Sequence, residues 1–423
     1  MKFSPVCWWR ALLSVAWLGS IAALALNRTF YREAMLSPYF ACVLLAACVL
    51  HLSAAPRWDA LAVAGSAFLL ALLEMGGRHF FPGRALLVVA LASLLGMSSL
   101  ALLGFRVFWA SGKRQVDLLR VFIPAVLFCV SEWFAPDLLD LTTRLHPRTL
   151  DLFLYSFEAS LRIQFSFVAG RLLLHLPWLR LTALLFYLAL PIPLTVTYTA
   201  QLKRSVRAAV PMIVTFLITG PLGVVFYNLF PGTGPVHLFG RGFPFDPLTT
   251  AQAARLIVEP VPVAGYRNAI PSLHMAWVLL AWWNSRGLSW RIRLFALVFV
   301  CFTVLATLGT GEHYLIDLVA AFPFAIMVQA LATYSVPLTQ RRRWLPLAGG
   351  LASVLAWFAL LRFTPRFFWA SPLLPWSMMA LSLLVSAGLL HLLNPTEGAP
   401  ELVAPPAAHD GAPALAHQET IPE

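Results

Sequence analysis

About twelve runs of mostly apolar residues follow one another along the chain, each long enough or nearly long enough to cross a hydrocarbon layer of about 30 Å. They cover 11–26, 39–55, 60–75, 85–105, 117–135, 181–200, 208–230, 271–284, 294–309, 313–334, 344–361 and 373–394. In lipid the backbone has no water to bond, so such runs must form helices or a closed barrel. None alternates with the period of two that a barrel strand needs. The expected fold is therefore an all-α, polytopic transmembrane helix bundle. Composition agrees, since 60% of the 423 residues are hydrophobic and 11% charged, against about half and a quarter in soluble domains. Water-soluble classes are excluded.

The 30 Lys and Arg against 18 Asp and Glu give a net charge of +12, but the cations sit between apolar runs rather than on one face, which speaks against nucleic acid as a partner. Lys203, Arg204 and Arg207, then Arg286, Arg291 and Arg293, then Arg341, Arg342 and Arg343 occupy three connections that alternating spans put on one side. Basic connections stay cytoplasmic. The 231–270 connection, the start of the 271 helix and the 309–312 turn are thus expected on the non-cytoplasmic face of a plasma (inner) membrane. The five cysteines are odd in number and form no CxxC pair, so they read as small buried hydrophobes.

Four regions are expected. Residues 1–116 are N-terminal transmembrane helices, the first read as an uncleaved anchor. Residues 117–335 form a six-helix core, built from 117–135 and the five runs between 181 and 334, with an amphipathic segment at 150–176 that lies in the interface or packs on polar groups of the bundle. Residues 336–394 are two C-terminal helices, and 395–423 a disordered tail rich in Pro, Ala, Glu and His. Within 150–176, Glu158 and Arg162, four apart, suggest a structural pair.

Two stretches on the expected outer face could carry chemistry: Arg267-Asn268-Ala269-Ile270-Pro271-Ser272-Leu273-His274, and Gly309-Thr310-Gly311-Glu312-His313-Tyr314-Leu315-Ile316-Asp317. Pro271 suits a first helical turn, which puts His274 about one turn inside a helix whose unpaired amides attract anions. His313 and Asp317, at i and i+4 of a helix, share a face, so the carboxylate can accept an imidazole N–H and leave the other ring nitrogen free. Either histidine alone is as readily an interfacial anchor. The pair is stronger, because Asp317 precedes the apolar run 318–327 and needs a partner to offset its burial. Glu312 reads as a solvated turn residue. Two histidines, an aspartate and an arginine at an anion-binding helix start suit phosphoryl transfer. A metal site of His274, His313 and Asp317 is the alternative that spacing leaves open.

These residues resemble the type 2 phosphatidic acid phosphatase superfamily, and especially its inositol phosphorylceramide synthase-like (inositolphosphotransferase) branch. Pro271-Ser272-Leu273-His274 is similar to the second motif of that superfamily, His313-Tyr314-Leu315-Ile316-Asp317 to the HxxxD core of the third, and Tyr227-Asn228-Leu229-Phe230-Pro231-Gly232-Thr233-Gly234-Pro235 to a Pro- and Gly-rich stretch of that branch. The resemblance covers roughly 150–335. It implies a phosphohistidine mechanism with no metal and no cofactor. His313 is then the nucleophile, Asp317 its orienting partner, and His274 the acid for the leaving alcohol and the base for the acceptor. Departures stand beside it. Lys203 has Val210-Pro211 where the first motif has Arg-Pro, Ala306-Thr307 replaces Ser-Arg before the third motif, and Leu273 stands where most phosphatases have Gly. The phosphate is left short of cations, so Arg267 with Ser272 is the expected substrate contact, and Arg241 and Arg255 are weaker candidates. The implied function is transfer of a phospholipid or sphingolipid headgroup to an alcohol such as a ceramide. A lipid phosphatase using water, or a non-enzymatic transporter or scaffold, are the alternatives.

Overall fold

The computed structural model describes residues 5–54, 56, 58–78 and 84–393, so the expected tail at 395–423 lies outside the described residues. Helices account for nearly all of it: α1 (Pro5–Leu26), α2 (Pro38–Ala54), α3 (Trp58–Arg78), α4 (Arg84–Trp109), α5 (Gly112–Leu145), α6 (Asp151–Ser160), α7 (Phe165–His175), α8 (Pro177–Leu188), α9 (Pro191–Arg204), α10 (Val206–Leu229), α11 (Leu273–Asn284), α12 (Trp290–Gly309), α13 (Leu315–Ala332), α14 (Arg341–Phe363) and α15 (Leu373–Leu393), with a few single-turn pieces between them. Among the described residues there is no strand, only one isolated bridge between Thr149 and Val261.

The protein is a multi-pass helix bundle, but with fewer spans than the apolar runs suggest. Among the described residues eight helices are long and apolar enough to cross a membrane, or up to ten if two bent pairs each count once. Two runs account for much of the difference. The 181–200 run is divided between α8 and α9, because Pro177 and Pro191 each open a new helix at its first turn. The 271–284 run yields only the 12 residues of α11, about 18 Å of helix.

Amphipathic segment 150–176 becomes α6 and α7 rather than one helix, broken where Arg162 takes a positive φ of 65°. It packs into the bundle, with Asp151 and Glu158 fully buried. The expected Glu158–Arg162 pair is not formed. Glu158 accepts from the backbone N–H and hydroxyl of Ser166 at 2.7 and 2.8 Å, while Arg162 lies over the Trp369 ring at 5.1 Å. Burial pushes the Glu158 carboxyl up to about 7.

Two apolar clusters fill the interior. One joins α6, α7, α10, α11 and α13 to both C-terminal helices. The other joins α1, α2 and α4 to Val121, Ala125 and Phe128 of α5 and to one side of α9 and α10. The α5 helix thus packs mainly with the N-terminal helices, and the C-terminal pair closes on the core. At the centre is α13, with 78% of its span buried. In lipid, helix association depends on close van der Waals contact rather than on expelling water. Ala320, Ala321, Ala325, Ala330 and Ala332 of α13 are fully buried. Gly350 of α14 lies so near the Pro323 carbonyl that a Cβ there would meet it at 2.6 Å. The far end of α13 is capped by buried Arg343, which donates to the carbonyls of Ala330, Leu331 and Val336 at 2.8 to 2.9 Å, a favourable place for a cation.

Candidate active site

The α11 and α13 helices are held side by side at both ends. Asn284 and Gln329 pair at one end, at 2.7 Å; at the other, Ser272 N–H donates to the Asp317 carbonyl at 3.1 Å. Two connections, 230–272 and 310–314, fold over this second end. Ala269 N–H donates to the Gly232 carbonyl at 3.0 Å, and Val236 N–H to that of Gly311 at 2.9 Å. Gly234 has a φ of 117°, and a Cβ on it would collide with the backbone of Gly311 and Glu312. Only glycine lets these loops close so tightly.

Beneath them lies Asp151. Its carboxylate accepts from Thr233 N–H at 3.0 Å, the Thr233 hydroxyl at 3.1 Å, Gly234 N–H at 2.8 Å and the Tyr314 hydroxyl at 3.2 Å. One buried acid thus fixes the Pro-Gly-Thr-Gly turn and ties it to the residue after His313.

The helices begin later than the sequence suggests. Ser272, not Pro271, is the turning point: it is the N-cap of α11, and its hydroxyl accepts from Met275 N–H. His274 is therefore the second residue of that helix. Likewise Tyr314 is the N-cap of α13, so His313 precedes the helix rather than riding on it, and Asp317 is its third residue, accepting from Tyr314 N–H at 2.8 Å. The two side chains still meet, because the chain folds back on itself at the cap.

His313 is 2% exposed. Its Nδ1 lies 2.8 Å from the Ala269 carbonyl, which can only accept, so Nδ1 carries the proton and Nε2 presents its lone pair. Nε2 faces the Ser272 hydroxyl at 3.2 Å. Asp317 Oδ2 is 3.4 Å from Nδ1, longer than a good hydrogen bond. Ala269, which the sequence did not single out, is thus the principal orienting partner. Asp317 supplies a nearby negative charge, and its Oδ1 is buried with no bonding partner. That charge would stabilise the positive imidazole formed when Nε2 bonds to phosphorus.

His274 is half-buried and stacks flat on Tyr187, with ring centroids 3.9 Å apart at 15°. Burial, and then the charge of the nearby His313, hold its imidazole well below the usual histidine value, at about 3. The three candidate metal ligands His274, His313 and Asp317 do not form a metal-holding group, nor do any three His, Cys, Asp or Glu side chains among the described residues.

The expected phosphate contacts are placed differently. Arg267 is buried, and its guanidinium donates to the carbonyls of His146 at 2.8 Å, Val263 at 3.0 Å and Pro147 at 3.3 Å, and also to Gly265. Where a phosphate was expected, four carbonyls stand. Ser272 N–H is likewise committed, to Asp317. Arg241, in the 240–242 turn, and Arg255, which caps the 250–254 helix, are both exposed, and no contact joins either to His313 or His274 among the described residues. On the rim, His237 Nε2 lies 3.6 Å from Glu312; the carboxylate beside the imidazole holds it protonated to a higher pH than usual.

One nitrogen of His313 is thus pinned and the other presented, with an acid behind the ring and a second histidine beside it. Residues 152–331 match the family model of the PAP2 superfamily. The match supports the type 2 phosphatidic acid phosphatase superfamily, and with it a phosphatase-type enzyme acting on phosphate esters. No curated protein and no solved structure matches the chain. The PAP2 segment begins at α6 and ends at the last turn of α13, leaving α1 to α5 and the C-terminal pair outside it.

Proposed function

We propose that the protein is a membrane lipid phosphotransferase that moves a phospho-headgroup between a phospholipid and an alcohol through a phosphohistidine on His313, at the non-cytoplasmic face. The observation that carries this is the Ala269 carbonyl bond, which leaves His313 Nε2 as a buried lone pair beside a second histidine. In the first step Nε2 attacks phosphorus and the bond to the departing alkoxide breaks; His274, neutral before substrate binds, takes up a proton beside the anionic phosphate and gives it to that oxygen. In the second, the acceptor hydroxyl attacks the phosphohistidine while neutral His274 takes its proton, and the P–N bond breaks to restore His313.

The charge around the site favours a diester over a monoester. Among the described residues no Lys or Arg side chain is bonded to His313, His274 or Ser272, while Asp317 and Asp151 lie close by. A phosphomonoester brings about two negative charges into surroundings that hold little to balance them. A phosphodiester brings one, which supports an inositol phosphorylceramide synthase-like transfer. The protein purified in detergent should convert a phosphatidylinositol with a short-chain ceramide to a new phospholipid, unaffected by chelator, and His313→Ala should abolish this. Turnover of phosphatidate alone, with phosphate released to water, would replace the transferase with a phosphatase. Full activity in His313→Ala would remove the enzyme reading.

A further inference from the structure

The N-terminal helices fall outside the PAP2 match, yet one of them reaches the site. Tyr39, in the first turn of α2, meets Tyr187 of α8 edge-on, with ring centroids 6.1 Å apart at 73°. The edge of one ring thus abuts the other where α2 packs on α8. Tyr187 in turn lies flat on the His274 imidazole at 3.9 Å. Tyr187 is buried and Tyr39 is 43% exposed, so the series runs inward from the rim to the histidine.

The His274 ring is otherwise unrestrained. His313 is pinned by a carbonyl, but among the described residues no carbonyl, hydroxyl or carboxylate hydrogen-bonds the His274 ring. Its other aromatic neighbour, Trp277, touches it edge-on at 6.3 Å and 82°. A histidine's ring torsion is broad, so without a stacked partner the N–H would point at the reacting oxygen only part of the time. Both nitrogens are left free for proton transfer, which a hydrogen-bonded histidine could not offer. A flat phenol face also offers the protonated ring a cation–π attraction, which acts against the burial that otherwise favours the neutral ring.

We infer that Tyr187 is the positioning residue for His274, and that Tyr39 of the N-terminal helices holds Tyr187 in place, so that the PAP2 segment is incomplete as a catalyst without α2. This rests on the role of His274 given above. It assigns the N-terminal helices a part in the chemistry that neither the motifs nor the family match gives them.

The test uses the full chain in detergent, with phosphatidylinositol and short-chain ceramide. Tyr187→Leu should lower kcat by about 30- to 100-fold with KM changed less than twofold, the scale expected when a catalytic group is displaced by about 1 Å. Tyr187→Phe, which keeps the ring, should recover most of that loss. Tyr39→Leu, which removes the ring contact, should cost about threefold in the native background and nothing in Tyr187→Leu, as expected of residues acting in series. The deciding comparison is made in His274→Ala, where Tyr187→Leu should slow the residual rate no further, because there is no ring left to position. Equal losses with and without His274 would overturn the inference, since general destabilisation acts in both backgrounds; so would an unchanged kcat in Tyr187→Leu. If Tyr187→Leu fails to fold, Tyr39→Leu at the exposed end carries the same comparison. The enzyme reading is judged separately by His313→Ala. An inactive His313→Ala beside a fully active Tyr187→Leu rejects the positioning role alone.

Discussion

His51 and His313 each lie in the interior with a serine hydroxyl on one side and an aspartate on the other. In the N-terminal helices, His51 Nδ1 is 2.7 Å from the Ser99 hydroxyl and Nε2 is 3.1 Å from Asp59, and Asp59 is also bonded by Arg106. In the PAP2 segment, His313 has Ser272 at 3.2 Å and Asp317 at 3.4 Å. The residue types are the same and the bonding is not. Both nitrogens of His51 are committed, and a guanidinium balances its aspartate. For His313, the short bond goes to a backbone carbonyl, the facing hydroxyl is looser, and one Asp317 oxygen has no partner. The first set closes on itself between packed helices. The second is held at its back and lies where two loops meet over two helix starts. A Ser, His and Asp constellation is thus no mark of catalysis by itself; what the partners leave unsatisfied is.

The comparison is broken most directly by removing each histidine. His313→Ala should lower kcat by about 10⁴-fold or more, as loss of a covalent nucleophile does, with little change in the thermal midpoint. His51→Ala should do the opposite. Activity per folded molecule stays within about twofold, while stability falls by about 1–3 kcal/mol, because Ser99 and Asp59 each lose a buried hydrogen bond although Arg106 still balances the carboxylate. Thermal unfolding in detergent beside a transfer assay reads both. Equal losses of activity would erase the distinction.

Asp317→Asn should cost less than the nucleophile itself, about 10²-fold in kcat, on the scale of a lost electrostatic stabiliser. The Ala269 carbonyl still sets the tautomer in that variant. A loss as large as that of His313→Ala would mean that Asp317, not Ala269, does the orienting. Asp151→Ala should sharpen the contrast from another side. It leaves the Thr233 and Gly234 N–H groups and the Tyr314 hydroxyl without an acceptor, at about 1–3 kcal/mol for each group left buried and unmade. Both stability and kcat should therefore fall together, as measured by melting and turnover.

The smallest effect concerns the rim. Glu312 raises the pKa of His237, so the pair contributes stability below the ordinary histidine value of 6.5 and loses it as pH rises through the raised one. Both side chains are about one-third exposed, and solvent screening keeps the contribution under about 1 kcal/mol. Thermal midpoints of the native protein and Glu312→Gln should differ slightly at low pH and converge at high pH. A gap that widens with pH would reverse the sign of this account.

Much of the site was legible because its chemistry is local in the chain. His313 and Asp317 are four residues apart, Ser272 and His274 two apart, and each pair keeps its neighbourhood when the chain folds. Helix starts were misjudged by two residues. Proline signals a first turn, but the Ser272 hydroxyl provides the actual cap, and Tyr314 ends the turn that carries His313. The missed partners are remote or silent. Ala269 acts through its carbonyl, which no side-chain pattern records. Asp151 is more than 80 positions from the loop it holds; the only signal was an acid among apolar residues, which must find a partner. Tyr39 and Tyr187 look like ordinary aromatic residues of apolar helices. Arg267 was expected on phosphate because cations are scarce, and backbone carbonyls without other donors claimed it instead. Among the described residues fewer helices are long and apolar enough to cross a membrane than there are apolar runs, for a related reason: apolar content marks what can lie in lipid, whereas proline and helix length limit how far one helix reaches.

The most direct test of the account is to find where phosphorus goes. His274→Ala, given a phosphodiester carrying a labelled phosphate and a nitrophenol leaving group, needs no acid for the first step and lacks the base for the second. Label should therefore accumulate on the protein as an acid-labile, alkali-stable adduct on the peptide containing His313, and vanish in the His313→Ala, His274→Ala double variant. Label on another residue, or turnover by the double variant at the rate of the single one, would contradict it.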